Sequence, residues 1–146
     1  SYWYTFLNMD SALVINCDGG SRGNPGPAAS AFVAYRDGQE IFSQGKFLGV
    51  ATNNVAEYTA VLLALEWLAN NLQFKIYNLQ IILDSELVVR QLNGEYKIKN
   101  KKLQELALEI KNIEKSTSAK IFYSHVARDK NKMADQLVNT TLDSST

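Results

Sequence analysis

The chain has 146 residues, 46% hydrophobic and 21% charged, which bounds it to one domain with a core of its own. Fifteen basic and fifteen acidic residues give a formal net charge of zero, which argues against a uniformly basic nucleic-acid-binding surface but not against local basic clusters. No apolar run reaches the roughly 18 residues that span a bilayer, no stretch has the pattern of a secretion signal, and the single Cys17 excludes an internal disulfide. A cytoplasmic protein with no membrane partner is expected.

Ser1 to Asn8 is rich in aromatic side chains and precedes Met9, so it reads as a short N-terminal extension. The domain is expected over residues 9–143, with 144–146 a polar tail. Ser11 to Asp18 predicts a strand with Leu13, Ile15 and Cys17 on one face and Val14, Asn16 and Asp18 on the other. Gly19 to Pro27, with four glycines and two prolines, predicts a turn. Strands follow at Ala28–Tyr35 and Glu40–Phe47, joined by the hairpin signal Asp37-Gly38. Thr52 to Asn70 predicts a helix capped by Thr52, Asn53 or Asn54. Its apolar residues cover most of its circumference, so it is expected at the centre of the protein.

Leu79 to Leu83 predicts a strand, Ser85 the cap of a brief helix through Leu92, and Gly94 its stop. A helix from about Asn100 to Lys115, a strand over Lys120–Val126 and a last helix that Asn131 can cap complete the chain. The order βββαβααβα predicts an α/β fold: a five-stranded mixed sheet, three antiparallel strands then two parallel, flanked by helices.

Four carboxylates fall at distinctive places in this order. Asp18 is expected to close the first strand, and Asp84 to close the fourth. Glu57 lies in the first turns of the central helix and Asp135 in the first turn of the last. If the first and fourth strands are adjacent and parallel, their ends lie about 5 Å apart. Acids gathered there repel each other unless a cation sits among them, and hard divalent cations take oxygen ligands of this kind. The pattern fits a chain that holds metal ions against a phosphate. Lys97, Lys99, Lys101 and Lys102 form one basic cluster and Arg128, Lys130 and Lys132 another. Each reads either as a phosphate-contacting patch or as a solvated face. Cys17 reads as a small core residue on the sheet face away from the acids.

The run Asp18-Gly19-Gly20-Ser21-Arg22-Gly23-Asn24-Pro25-Gly26-Pro27, Thr52-Asn53-Asn54 with Glu57, Leu83-Asp84-Ser85, and His125 followed by Asn131 and Asp135 resemble ribonuclease H type 1. The resemblance covers about Leu13 to Leu142. It implies the ribonuclease H-like fold and hydrolysis of the RNA strand of an RNA–DNA hybrid, leaving 3′-hydroxyl and 5′-phosphate ends. Asp18, Glu57, Asp84 and Asp135 would be the catalytic, metal-holding carboxylates, with two magnesium ions per site when substrate is bound and manganese as a substitute. His125 would assist proton transfer or product release, although its place alone fits a half-buried strand-end histidine equally. Asn24, Asn53 and Asn54, with Gly19, would touch the hybrid's minor groove, and Thr52 a DNA phosphate. Ser85 and Asn131 are further candidate substrate contacts, Ser85 also being a helix cap.

Only 16 residues separate Asp84 from Asn100, so the chain resembles the compact branch of the family, without the long basic protrusion that grips DNA. Lys97, Lys99 and Lys101 are candidate replacements as phosphate contacts. A monomer acting on hybrid is expected, with a nuclease that also cuts double-stranded RNA as one alternative. The other alternative is a catalytically silent hybrid-binding or assembly module.

Overall fold

The computed structural model describes residues 12–71 and 78–145. The expected extension at residues 1–8 lies outside them. Five strands, β1 (Ala12–Ser21), β2 (Gly26–Arg36), β3 (Gln39–Ala51), β4 (Asn78–Leu83) and β5 (Lys120–His125), form one sheet in the order β3-β2-β1-β4-β5. The β1–β2 and β2–β3 pairs are antiparallel, and β1–β4 and β4–β5 are parallel. The described helices are α1 (Asn53–Ala69), α2 (Glu86–Leu92), α3 (Lys101–Ser116) and α4 (Lys132–Ser144), with a 3-10 turn at Arg128–Lys130. This is the mixed α/β sheet that the element order predicts.

The core lies between one sheet face and α1. Leu13, Ile15, Cys17, Phe32, Leu79, Ile81 and Leu83 meet Tyr58, Val61, Leu65 and Leu68 of α1, with Leu103, Leu106 and Ile110 of α3 packed behind. Alternation along β1 puts Leu13, Ile15 and Cys17 into this core, as the period of two requires. Burial pushes the Cys17 thiol up, away from thiolate chemistry. A smaller cluster of Ala29, Ala31, Val138 and Leu142 seats α4 on the opposite sheet face. The β2–β3 hairpin turns at Asp37 and Gly38, both with positive φ (53° and 78°), the geometry of a two-residue type I′ turn.

The strand boundaries differ from the expected ones most at the ends of β1 and β3. β1 does not end at Asp18: Gly19, Gly20 and Ser21 stay in register with Ser30, Ala29 and Ala28 of β2. Their small side chains leave the ladder intact, and the predicted turn shrinks to the four residues 22–25 between β1 and β2. β3 runs longer than expected, to Ala51, because bulges at Ala28/Ala29 and Ala34/Tyr35 let it follow the twist of β2. Among the described residues, no helix is long and apolar enough to cross a membrane.

Candidate active site

β1 and β4 run parallel with Asn16 opposite Ile82. Carrying that register two residues further sets Asp18 of β1 opposite Asp84, which follows the last residue of β4. Glu57 comes from the second turn of α1, and the start of that helix is fastened to the β1–β2 hairpin. Asn53 Oδ1 accepts from Ser21 N at 2.8 Å and from Ser21 Oγ at 3.1 Å, while Asn53 N donates to Asn24 Oδ1 at 3.0 Å. Thr52 is the cap, its Oγ1 accepting from Val55 N at 3.2 Å. Buried Ser30 donates to Ala56 O at 2.5 Å.

Gly19 permits this approach. A Cβ there would lie closer than 3.0 Å to the Ala56 carbonyl and the Glu57 nitrogen. Asp135 lies in the first turn of α4, its N–H on Asn131 O at 3.1 Å. The Asn131 side chain makes no capping bond, contrary to expectation. It is 1% exposed and donates to Cys17 O at 2.9 Å while accepting from Asn16 Nδ2 at 3.0 Å. It therefore ties the start of α4 to β1, and its burial takes it away from the surface where a substrate contact was expected.

A cleft of about 540 Å³ gathers Asp18, Glu57, Asp84 and Asp135 with Gly19, Asn24, Asn53, Asn54 and Ser85. Thr52, His125, Lys97, Lys99 and Lys101 do not line it. His125 ends β5, exposed, opposite Leu83 of β4. The three lysines are exposed around the α2–α3 connection. Ser85 caps α2, accepting from Val88 N at 3.3 Å, and its hydroxyl also favours the charged form of Glu57.

Arg128 also lines the cleft, where the sequence reading had placed it only in a basic cluster. Its Nη2 stands 3.9 Å from Asp135 Oδ1, and its charge holds down the carboxyls of Asp84 and Glu57. The signal for it in sequence is a lone arginine in the loop between the fifth strand and an acid-bearing helix.

Burial, then the charges of Asp84, Asp135 and Glu57, pushes the Asp18 carboxyl up to about 8, against a hydrogen bond from the Gly19 backbone. Burial and Asp84 push Glu57 up to about 7. Asp84 is raised too, mainly by burial, against Arg128 and a hydrogen bond from Asn131. Glu57 Oε2 is buried without a hydrogen-bond partner. An orphaned acceptor among mutually repelling acids is satisfied by a hard cation. Among the described residues, no three carboxylate, imidazole or thiol groups already form a cage for one ion. Magnesium commonly binds through one or two carboxylates, waters and substrate phosphates instead, and this donor set suits that mode.

A stability prediction follows from the raised carboxyls. Asp18 and Glu57 ionise in the unfolded chain near their ordinary values of 3.8 and 4.5, but in the fold only near 8 and 7. The folded state therefore holds extra protons between those values. The stability these two groups contribute is full below about pH 4 and is lost as pH rises through 7 to 8. The Tm of EDTA-treated protein is expected to fall between pH 5 and pH 9. Asp18→Asn is expected to recover about 2–4 kcal/mol at pH 9, some 5–10 °C in Tm, and added magnesium part of the same loss. Thermal melts across that pH range check it, and a Tm that rises toward pH 9 contradicts it.

Comparisons with known proteins place the chain among relatives. The family model described as reverse transcriptase-like matches residues 16–141. The ribonuclease HI of Halobacterium salinarum is 37% identical over 86% of this chain and 62% of its own length. A protein of Mycobacterium tuberculosis named as bifunctional is 36% identical over 91% of this chain. The chain spans only 36% of that relative. Among solved structures, LC11-RNase H1 in complex with an RNA/DNA hybrid superposes with a TM-score of 0.87 at 37% identity, covering 91% of this chain and 98% of that one.

Proposed function

This chain belongs to the ribonuclease HI family, and from that premise we propose that it hydrolyses the RNA strand of RNA–DNA hybrids, leaving 3′-hydroxyl and 5′-phosphate ends. The observation that carries the reading is the convergence of Asp18, Glu57, Asp84 and Asp135 on one cleft, with Glu57 Oε2 left without a partner. These four carboxylates would hold two magnesium ions, or manganese in their place, which supply a more acidic attacking water and a neutralised leaving oxygen when bound with substrate. One chain carries all four acids, so we take the monomer as the acting unit.

The remaining site residues bind and position. Asn24, Asn53 and Asn54 line the cleft beside Gly19, where amides can read a ribose 2′-hydroxyl and so tell RNA from DNA. Asn53 Oδ1 is already engaged by Ser21, so its Nδ2 is the end that donates to substrate. Ser85 orients Glu57, and Asn131 fixes α4, both without touching substrate. Thr52, Lys97, Lys99 and Lys101 are exposed outside the cleft and take the flanking phosphates, so binding weakens steeply with salt. His125, on the strand neighbouring Asp84, moves protons or speeds product release. His125→Ala is expected to slow turnover at unchanged metal affinity, and a full rate in single- and multiple-turnover assays removes it from the mechanism.

Arg128 neutralises part of the carboxylate charge from the cleft wall. Its side chain is 83% exposed, so screening limits the effect. Arg128→Ala is expected to lower hybrid cleavage about tenfold, ~1.4 kcal/mol of activation free energy, and to shift the acidic limb of the pH–rate profile upward. Arg128→Lys is expected to restore part of both, and an unshifted profile argues against the role.

The test of the overall reading is end-labelled RNA presented in three forms: paired with DNA, paired with RNA, and single-stranded. Internal cuts in the hybrid, absent from the single strand, are expected. Cuts in the RNA duplex extend the substrate range. Bound but uncut hybrid with every divalent metal returns the chain to the silent binding module.

A further inference from the structure

The stretch from Asn93 to Asn100, between α2 and α3, forms neither helix nor strand, yet side chains from two helices hold its backbone. Gln91 Nε2 of α2 donates to Lys97 O at 3.1 Å. Gln104 Nε2 of α3 donates to Ile98 O at 2.7 Å. Ile98 packs against the core, so exposed Lys97 and Lys99 stand on either side of an anchored residue. At the start of the stretch, Glu95 N donates to Arg90 O at 2.8 Å. At its end, Asn100 caps α3, accepting from Leu103 N at 3.0 Å. Lysines on a backbone fixed in this way lose less freedom on meeting a phosphate than lysines on a free loop.

Gln91 also faces the other way. Its Oε1 accepts from the Tyr58 hydroxyl at 2.7 Å. Tyr58 is buried and directly follows Glu57 in α1. One amide therefore joins the helix that carries a cleft carboxylate to the backbone beside two lysines. α2 itself starts at the cleft, which Ser85 lines. The rise of that short helix puts the lysine stretch about 10 Å further on, roughly three nucleotide steps along a duplex strand.

We propose that Gln91 is a positioning residue. It fixes Lys97 and Lys99 relative to the carboxylate cleft, so that they grip backbone phosphate of a bound hybrid at a set distance from the cut. This rests on the hybrid-cleaving reading, and hybrid binding without metal tests it apart from cleavage.

The experiment compares the full chain with Gln91→Met, which keeps the length of the side chain, removes both hydrogen bonds and leaves the net charge unchanged. Hybrid affinity in EDTA is measured across a salt series. Losing the clasp is expected to weaken binding roughly threefold to tenfold at low salt. The slope of log affinity against log salt is expected to flatten by about one phosphate contact. In a background carrying Lys97→Ala and Lys99→Ala, adding Gln91→Met is expected to change neither quantity further. Single-turnover cleavage at saturating protein is expected to hold.

An unchanged salt slope overturns the proposal, because a merely structural loss removes no phosphate contact. So does an equal loss of affinity in the lysine-free background. A fall in saturated cleavage with binding intact also overturns it, since the amide then acts through α1 and Glu57. If Gln91→Met does not fold, adding Tyr58→Phe removes the hydroxyl left without a partner, and the same binding comparison is made on the double variant. Wild-type chain that binds hybrid but cuts none of it sinks the cleavage reading and leaves the clasp standing or falling on its salt slope. Wild-type chain that does not bind hybrid overturns both.

Discussion

Asp84→Asn is expected to abolish hybrid cleavage, with a loss of at least about 10³-fold, or ~4 kcal/mol of activation free energy, while hybrid binding survives or tightens. Asp84 is the acid whose charge bears on both of the others raised most strongly, Asp18 and Glu57. Asparagine keeps the shape and one oxygen but removes the charge that a divalent cation needs. The same change relieves repulsion between the cleft and a phosphate backbone, so affinity in EDTA is expected to hold or rise. Single-turnover cleavage and equilibrium hybrid binding, measured on the same preparation, separate the two effects. Robust turnover by the variant would falsify the assignment of the metal-holding acids.

Gly19→Ala is expected to cost about 3 kcal/mol of stability, at the upper end for overpacking, and roughly 10 °C in Tm. The new methyl meets the Ala56 carbonyl and the Glu57 nitrogen. Both are backbone atoms, which no rotamer change can clear. The start of α1 must move off β1, straining the bonds that Asn53 makes with Ser21 and Asn24. Glu57 moves with it, so cleavage is expected to fall even where the variant is folded. Wild-type stability with full activity would show that the tight approach of β1 to α1 is dispensable. A stable variant with low activity would place the effect in the geometry of Glu57.

Each acid was legible in the sequence because its neighbours carry local signals. Thr52 and the two asparagines announce a helix start ahead of Glu57, and an apolar run announces a strand ahead of Asp84. The topology that unites them follows from element order, since a strand after a central helix is drawn back beside β1 in parallel. The residues that tension the site were harder to read. Asn131 is polar and follows a basic loop, so it looks like a surface cap. Its burial depends on Asn16 and the Cys17 carbonyl, 115 and 114 residues away, a pairing no local pattern encodes.

Arg128 shares its loop with Lys130, with Lys132 opening the next helix, and only the path of the backbone separates the side chain that reaches the acids from those that do not. Glycines signal turns, yet Gly19 and Gly20 sit in a ladder whose partners Ser30 and Ala29 are similarly small, and β1 runs on through them. The lysines at 97, 99 and 101 are exposed outside the cleft, and charge alone does not tell a contact with the acids' cleft from one with flanking phosphates.

The most direct test of the central claim is a titration of cleavage with metal. Protein stripped with EDTA is mixed with end-labelled hybrid, and magnesium is added stepwise under single-turnover conditions. The four-carboxylate centre predicts no cleavage without metal, onset as the ion is restored, and products ending in 3′-hydroxyl and 5′-phosphate. Cleavage at full rate in EDTA would contradict it.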